Sequence, residues 1–222
     1  MTRYGYPPLK KYLDQEVETF KFLRSNSYIS QYSLFVKDLA SVYSRLRSKS
    51  ISSINISFKF STKLDNKPHD VKLAADVVFD KEKITRSSFI IEIYGVSSKG
   101  EGSNVVRRIH FDVAVIGVDI NKGCHPLYHV QVGGVGSGVE RGLSFPRVLF
   151  FPLSFALFFD MAIRELGTME LKRVIESGKW REILRANEDL MVIPFCKEVF
   201  RRRQNSSTFV IPDVYYESGD ET

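Results

Sequence analysis

Five segments of the chain alternate apolar and polar residues at every second position, and this repeated alternation constrains the fold most strongly. A period of two residues is typical of a β-strand whose two faces meet different surroundings. The connections between these segments are short or rich in turn-forming residues. Because a parallel connection needs a crossover of roughly a dozen residues or more, we expect neighbouring strands to be antiparallel.

The alternation predicts a five-stranded antiparallel meander with one apolar face and one polar face. The predicted strands lie at residues 50–63, 72–79, 89–94, 108–115 and 127–132. The first turn is expected at residues 64–70, and the last two strands form a hairpin that leads into a glycine-rich loop at residues 133–138. Because a slip of one residue would move every side chain to the other face, the apolar sets determine which residues share a face.

Helical spacing precedes and follows the predicted strands. Two N-terminal helices are expected, the first between Pro8 and a break at residues 25–27, and the second at about residues 30–48. The segment at residues 152–166 is apolar nearly all round, which is typical of a helix buried deeply against other elements. The sequence therefore predicts an α+β fold in which helices cover the apolar face of the sheet.

A C-terminal helical segment follows the apolar helix. Gly167 is a typical C-cap and Thr168 a typical N-cap, so a new helix should begin there and end near residues 177–178. Another helix should contain Trp180, and a last one should span residues 194–204. The side chains expected to face inward on this last helix are Phe195, Val199 and Phe200.

Composition places the chain among soluble globular proteins, with 222 residues of which 43% are hydrophobic and 26% charged. No repeat or linker divides it, which predicts one domain at residues 1–212 and an acidic tail at residues 213–222. The N-terminus lacks the apolar segment of a signal peptide, and the most apolar run is shorter than the about 20 residues of a membrane span. Cys124 and Cys196 provide no disulfide framework, so a cytoplasmic location is expected.

The net charge indicates a polyanionic partner. The chain carries a formal charge of +6, although its last ten residues contain four acidic and no basic side chains. A basic body favours nucleic acid as a partner, and three consecutive arginines end the last predicted helix, where cations also complement the helix dipole. The residues predicted to contact nucleic acid are Arg107, Arg108, Arg201, Arg202 and Arg203.

The polar face of the sheet is the best candidate for a functional site. The hairpin residues expected to act there as catalytic groups are His110, Asp112, His129 and Gln131. Carboxylates and imidazoles on one sheet can hold a divalent metal, for which Asp76 and Glu92 are the candidate ligands. The same face can instead perform metal-free acid–base chemistry, with one histidine as base and another histidine or Arg108 steadying a phosphate. The structural alternative is a polar face that is simply exposed to solvent and has no catalytic role.

Two further features lie beside the predicted hairpin. The glycine-rich loop lacks the lysine–serine pair and the following helix of a phosphate-binding loop, so we expect it to act as a mobile loop or lid. Cys124, His125 and His129 are zinc-binding residue types without a fourth partner. Since no cofactor fingerprint is present, a small-molecule enzyme is the least favoured of the functions considered.

Three successive motifs resemble a group of small bacterial proteins of unknown function. The motifs are HFDV, HPLYHVQVGG and FPRVLFFPLSFALFFDM, which fall within residues 107–161. The proteins that they resemble include toxins of toxin–antitoxin pairs and proteins of mobile and defence islands. In that group a hairpin ending in a His-x-His or similar motif precedes a proline-led hydrophobic helix, and here Gln131 stands where the second histidine is expected. The resemblance implies an RNA-directed activity and a neutralising protein partner.

Two hypotheses about function follow. The first is a nucleic-acid-binding or nucleic-acid-processing protein of a bacterial defence or toxin system, RNA-directed and acting as a nuclease if it is an enzyme. The alternative is a non-catalytic protein-interaction subunit of a larger complex, whose polar face is a satisfied hydrogen-bond network. Both place the protein in the cytoplasm without a membrane partner, and both leave a homo-oligomer open.

Overall fold

The computed structural model describes residues 7–29, 32–37, 52–80, 83–95, 104–113, 128–133 and 148–204. Its strands form one antiparallel sheet in which order along the chain is also order in space. The strands are β1 Ser33–Lys37, β2 Ser52–Leu64, β3 Lys67–Asp80, β4 Lys83–Gly95, β5 Asn104–Val113, β6 Tyr128–Val132 and β7 Val148–Leu149. The helices are α1 Leu9–Ser25, α2 Phe155–Leu166, α3 Met169–Glu176, α4 Gly178–Asn187 and α5 Ile193–Gln204. The predicted α+β class and antiparallel sheet are confirmed.

The number of strands was predicted wrongly, because the described part of the chain contributes seven strands to the sheet instead of five. The five predicted strands correspond to β2 through β6. The additional strands, β1 and β7, are short and lie at the two edges. Short edge strands carry too few residues for their alternation to stand out in a sequence.

The prediction of a second N-terminal helix was also wrong, since residues 33–37 form strand β1. Leu34 pairs with Phe58, and Val36 pairs with Ile56. The strand thus adds an apolar position opposite each of two core positions, and the packing against β2 outweighs the weak helical spacing. Residues 38–48 of the predicted helix lie outside the described residues.

The first turn of the meander is shorter than predicted. Asp65 and Asn66 alone join β2 to β3, and both have positive φ, 50° and 61°. Two successive residues with positive φ are the geometry of a type I′ hairpin turn, which suits the twist of antiparallel strands. The expected turn at residues 64–70 is therefore wrong, and residues 67–70 belong to β3.

Helix α2 is the centre of the core and lies against the apolar face of the sheet. The ring of Phe158 is 5.3 Å from that of Phe89, and the ring of Phe159 is 5.2 Å from that of Phe58. On the side away from the sheet, Phe159 also contacts Trp180 of α4 at 5.4 Å. The apolar side chains of α2 thus have neighbours in the sheet and in α4, which confirms the predicted deep burial, whereas Arg164 and Glu165 near its end are exposed.

The ends of α2 are determined by their caps. Ser154 accepts a hydrogen bond from the backbone N–H of Leu157, so the helix begins at Phe155. Gly167 is its C-cap, where an added Cβ would lie 2.5 Å from the backbone oxygen of Ile163. The hydroxyl of Thr168 then caps α3. Both predicted caps are confirmed.

Helix α4 continues into α5 through a π-helical turn at Glu188–Val192. Pro194 follows this turn and has no N–H to donate to the preceding turn, which favours a local widening of the helix. On α5, Phe195 is buried and Val199 packs against the core, as predicted. Phe200 is 61% exposed, so its predicted inward position was wrong. A residue five positions after Phe195 lies roughly 140° round the helix from it.

Candidate functional site

The polar face is formed by the side chains of the central strands that point away from α2. The backbone register places His129 opposite Asp112 and Gln131 opposite His110 on strands β5 and β6. The four residues predicted to act together are therefore two adjacent cross-strand pairs. The sequence pattern predicted that they share a face, and the register adds which residue lies opposite which.

Asp112 has a second neighbour on β4 that the sequence did not single out. Ser88 lies opposite Asp112 in the register, and its hydroxyl donates a short hydrogen bond to Oδ1 of Asp112. Ser88 also lies opposite Asp76 on β3. One row across the sheet thus runs from Asp76 through Ser88 and Asp112 to His129.

His110 is a mostly buried imidazole with 17% of its side chain exposed. Its Nδ1 lies 3.8 Å from Oδ2 of Asp112, a distance that exceeds the length of a hydrogen bond. Its Nε2 is buried and makes no hydrogen bond within the described residues. Burial lowers the pKa of His110, and the charge of Arg108 lowers it further against the opposing effects of Asp112 and Glu92. The imidazole is therefore neutral at pH 7.

Near His110, Glu92 on strand β4 is the centre of a charged cluster. Its Oε2 accepts hydrogen bonds from Lys72 Nζ at 2.9 Å and from the Tyr94 hydroxyl at 2.8 Å. Arg108 Nε lies 3.2 Å from Oε1, close enough for an ion pair although its geometry does not make a hydrogen bond. Lys72 and Arg108 are the register partners of Glu92 on both sides. Cross-strand pairing alone brings both cations to this carboxylate.

These contacts shift two pKa values. Burial by itself raises the pKa of Glu92, but the hydrogen bonds from Lys72 and Tyr94 and the two nearby cations together lower it. Burial, together with the hydrogen bond to Glu92 and its negative charge, raises the pKa of Tyr94 to about 12. Glu92 is thus a carboxylate at neutral pH, and Tyr94 keeps its proton.

The two predicted metal ligands lie apart and are each paired with a cation. Asp76 belongs to the row of Ser88, whereas Glu92 belongs to the row of Lys72. Oδ2 of Asp76 is 2.7 Å from Arg86, another residue that the sequence did not single out. Within the described ranges, no three His, Cys, Asp or Glu side chains are grouped so that they could hold a metal ion.

The described residues do not include Cys124 and His125, which belong to the connection between β5 and β6. They also do not include residues 134–138 of the glycine-rich loop. Gly133, which directly follows β6, has a φ of 89° and donates its N–H to the backbone oxygen of Arg108 at 2.8 Å. A positive φ of this size favours glycine, so this residue marks the point at which the chain leaves the strand.

The arginines predicted to contact nucleic acid do not form one patch. Arg108 lies opposite Glu92, whereas Arg107 lies opposite Ile93, whose side chain is in the core. Because successive strand residues point to opposite faces, Arg107 is exposed at the end of the other face. On α5, Arg201 makes two hydrogen bonds to Glu198, at 2.9 and 2.7 Å. Arg202 and Arg203 continue the backbone of this helix.

Comparison of the chain with protein-family models, with curated proteins and with solved structures finds no significant match. In the part of the chain that the structure describes, no helix combines the length and apolar character that a membrane crossing requires.

Proposed function

We propose that the polar face binds and processes RNA by metal-free acid–base chemistry. The observation that carries this proposal is the register of β5 and β6, which brings His110, Asp112, His129 and Gln131 into adjacent pairs. Two histidines and a carboxylate side by side are the residue types that a phosphoryl-transfer reaction without a metal requires. The bacterial defence or toxin setting, with a neutralising protein partner, rests on the sequence resemblance alone.

The proposed chemistry assigns a role to each histidine. His110, neutral because its pKa is lowered, accepts the proton of a ribose 2′-hydroxyl through Nε2, an atom that is buried in the free protein and that RNA binding must uncover. The O2′ atom then attacks the adjacent phosphorus, and the bond from phosphorus to O5′ breaks. His129, protonated for this step, gives its proton to O5′ as the leaving group departs. Arg108 lies beside His110 on the same strand face and steadies the negative charge on the phosphate.

The test uses labelled single-stranded RNA and DNA of one sequence, with manganese or with chelator. We expect cleavage of RNA in chelator and none of DNA, because DNA lacks the attacking hydroxyl. His110→Ala and His129→Ala should each reduce the rate by about 100-fold or more, the usual contribution of a general acid or base. His69→Ala is the matched control, because this histidine contacts the backbone of Lys67 near the first turn.

Three results would contradict the proposal. These are cleavage that disappears in chelator, cleavage of DNA at the same rate as RNA, and full activity in His129→Ala. A salt-dependent shift of RNA on a gel, without any cleavage product, would mean that the protein binds RNA but does not cleave it.

A second candidate function is a non-catalytic interaction subunit, and a different observation favours it. Both carboxylates that were predicted to bind a metal are matched by opposite charges within the chain, Glu92 by Lys72 and Asp76 by Arg86. Such a face attracts a polyanion weakly. On this hypothesis His129 belongs to a satisfied hydrogen-bond network, so His129→Ala should cost roughly 1–3 kcal/mol of stability. Neither nucleic acid should then be bound or cleaved.

A further inference from the structure

We infer that Ser88 and Asp112 are positioning residues for His110, holding its Nδ1 protonated so that the Nε2 lone pair is free for a substrate hydroxyl. Three observations carry this inference: Ser88 contacts Asp112, Asp112 lies beside Nδ1 of His110, and Nε2 of His110 is buried without a partner among the described residues. The role of His110 as the base rests on the proposed function, whereas the arrangement of the three side chains does not.

The first link fixes the carboxylate. Asp112 is an acceptor at both oxygens, and without a partner it would rotate freely about its side-chain bonds. Ser88 donates its hydroxyl proton to Oδ1 from the neighbouring strand. Because the serine lies directly opposite in the register, this hydrogen bond is built into the pairing of β4 with β5. The other oxygen, Oδ2, is thereby directed toward His110.

The second link selects the tautomer of the imidazole. In a neutral histidine one ring nitrogen carries the proton, and its hydrogen-bond or charge partner decides which. The carboxylate 3.8 Å from Nδ1 favours a proton on that nitrogen. The distance is longer than a hydrogen bond, as is common for catalytic pairs before substrate binds.

The third observation concerns the other ring nitrogen of His110, Nε2. With the proton on Nδ1, Nε2 presents a lone pair, and this atom is buried without a partner among the described residues. The other charged groups near His110 are Arg108 on its own strand and Glu92 on β4, and these two are paired with each other. On β6 the register brings Gln131 and His129 beside it. In the proposed function, RNA binding uncovers Nε2, and a hydroxyl of the substrate supplies the donor that it lacks.

The test measures the tautomer of His110 directly, without RNA, by long-range ¹H–¹⁵N correlation spectra of the full chain at a pH where the ring is neutral. We expect mainly the Nδ1–H form in the wild-type protein, although an imidazole free in water favours Nε2–H. In Ser88→Ala the ratio of Nδ1–H to Nε2–H should fall by roughly threefold to tenfold, the net worth of one hydrogen bond. In Asp112→Asn it should fall at least as far.

Two variants control for general effects on the sheet. Ser88→Thr retains the hydroxyl and should restore the wild-type ratio. Ser61→Ala removes a matched cross-strand hydrogen bond, from Ser61 to Asp70 at 2.6 Å on the same face, and should leave His110 unchanged. If Ser88→Ala does not fold, Asp112→Asn measured beside the wild type still decides the question.

The inference is overturned if wild-type His110 is mainly Nε2–H, or if Ser88→Ala and Asp112→Asn leave its ratio unchanged. It is equally overturned if Ser88→Thr shifts the ratio as far as Ser88→Ala, since packing would then be the cause. Because no RNA is present, a protein with the expected tautomer but no ribonuclease activity refutes the proposed function and leaves this inference standing.

Discussion

The carboxylate of Glu16 on α1 accepts a hydrogen bond at 2.9 Å from the backbone N–H of Phe155, the first residue of α2. Glu16 is completely buried, and its second oxygen, Oε2, has no partner among the described residues. Burial raises the pKa of Glu16 to about 7, although the hydrogen bond from Phe155 acts in the opposite direction. The contact joins two helices through a group that titrates near neutral pH.

The raised pKa of Glu16 predicts that stability falls as the pH rises. Above the ordinary value of 4.5, the unfolded chain loses the proton while the folded chain retains it until about pH 7. The stabilisation is therefore full below pH 4.5 and lost by pH 7, with a change on the order of 3 kcal/mol. Urea unfolding of the wild type across this pH range measures the change in the free energy of unfolding. Glu16→Gln is the reference, because the glutamine does not titrate. Equal pH dependence of the two proteins would contradict the prediction.

Tyr94 provides a second titration that can be observed separately. Its hydroxyl donates to Glu92, and its pKa is raised from 10.0 to about 12. The stabilisation from this hydrogen bond, about 1 kcal/mol, is present below pH 10 and lost as the pH rises to 12. Tyrosinate absorbance should show one tyrosine titrating near pH 12 that is missing in Tyr94→Phe. In Glu92→Gln this titration should move to lower pH, and an unchanged curve would exclude the contact.

The two phenylalanines of α5 should respond differently when each is replaced by alanine. Phe195 is 6% exposed, whereas Phe200 is 61% exposed. Phe195→Ala should cost about 3–5 kcal/mol, because it removes a buried ring and leaves a cavity. Phe200→Ala should change stability by no more than about 0.5 kcal/mol, as for an ordinary surface position. Denaturant midpoints of the two variants compare the positions directly, and a large loss for Phe200→Ala would mean that its ring is covered.

The sheet could be predicted from sequence because its apolar face is repeated on every long strand. Ile54, Ile56, Phe58 and Phe60 alternate without interruption, and their neighbours on the next strands do the same. Once one face must be buried, the register has little freedom. This is also why the grouping of His110 and His129 followed from the pattern. Strand β1 was not predicted, because the alternation over residues 33–37 is too short to outweigh the helical spacing of the longer segment around it.

The partners of the candidate site could not be predicted in the same way. That Ser88 contacts Asp112 depends on the pairing of β4 with β5, and this ladder contains a register shift between Ile93 and Tyr94. An alternating pattern reports which face a residue is on but not how far along a neighbouring strand its partner lies. Likewise, Arg86 reaches Asp76 diagonally across the face, which its position in the sequence does not indicate.

The corrected position of the turn between β2 and β3 can be tested directly. Asn66 has a φ of 61° in the second position of a two-residue turn. Glycine adopts positive φ without steric cost and is favoured at this position of type I′ turns, whereas a β-branched residue is disfavoured there. Asn66→Gly should therefore keep or raise the free energy of unfolding by up to about 1 kcal/mol, and Asn66→Val should lower it by about 1–2 kcal/mol. Thermal unfolding of the two variants measures both effects. If the turn instead spanned residues 64–70, Asn66 would lie within a longer loop and the two substitutions would have similarly small effects.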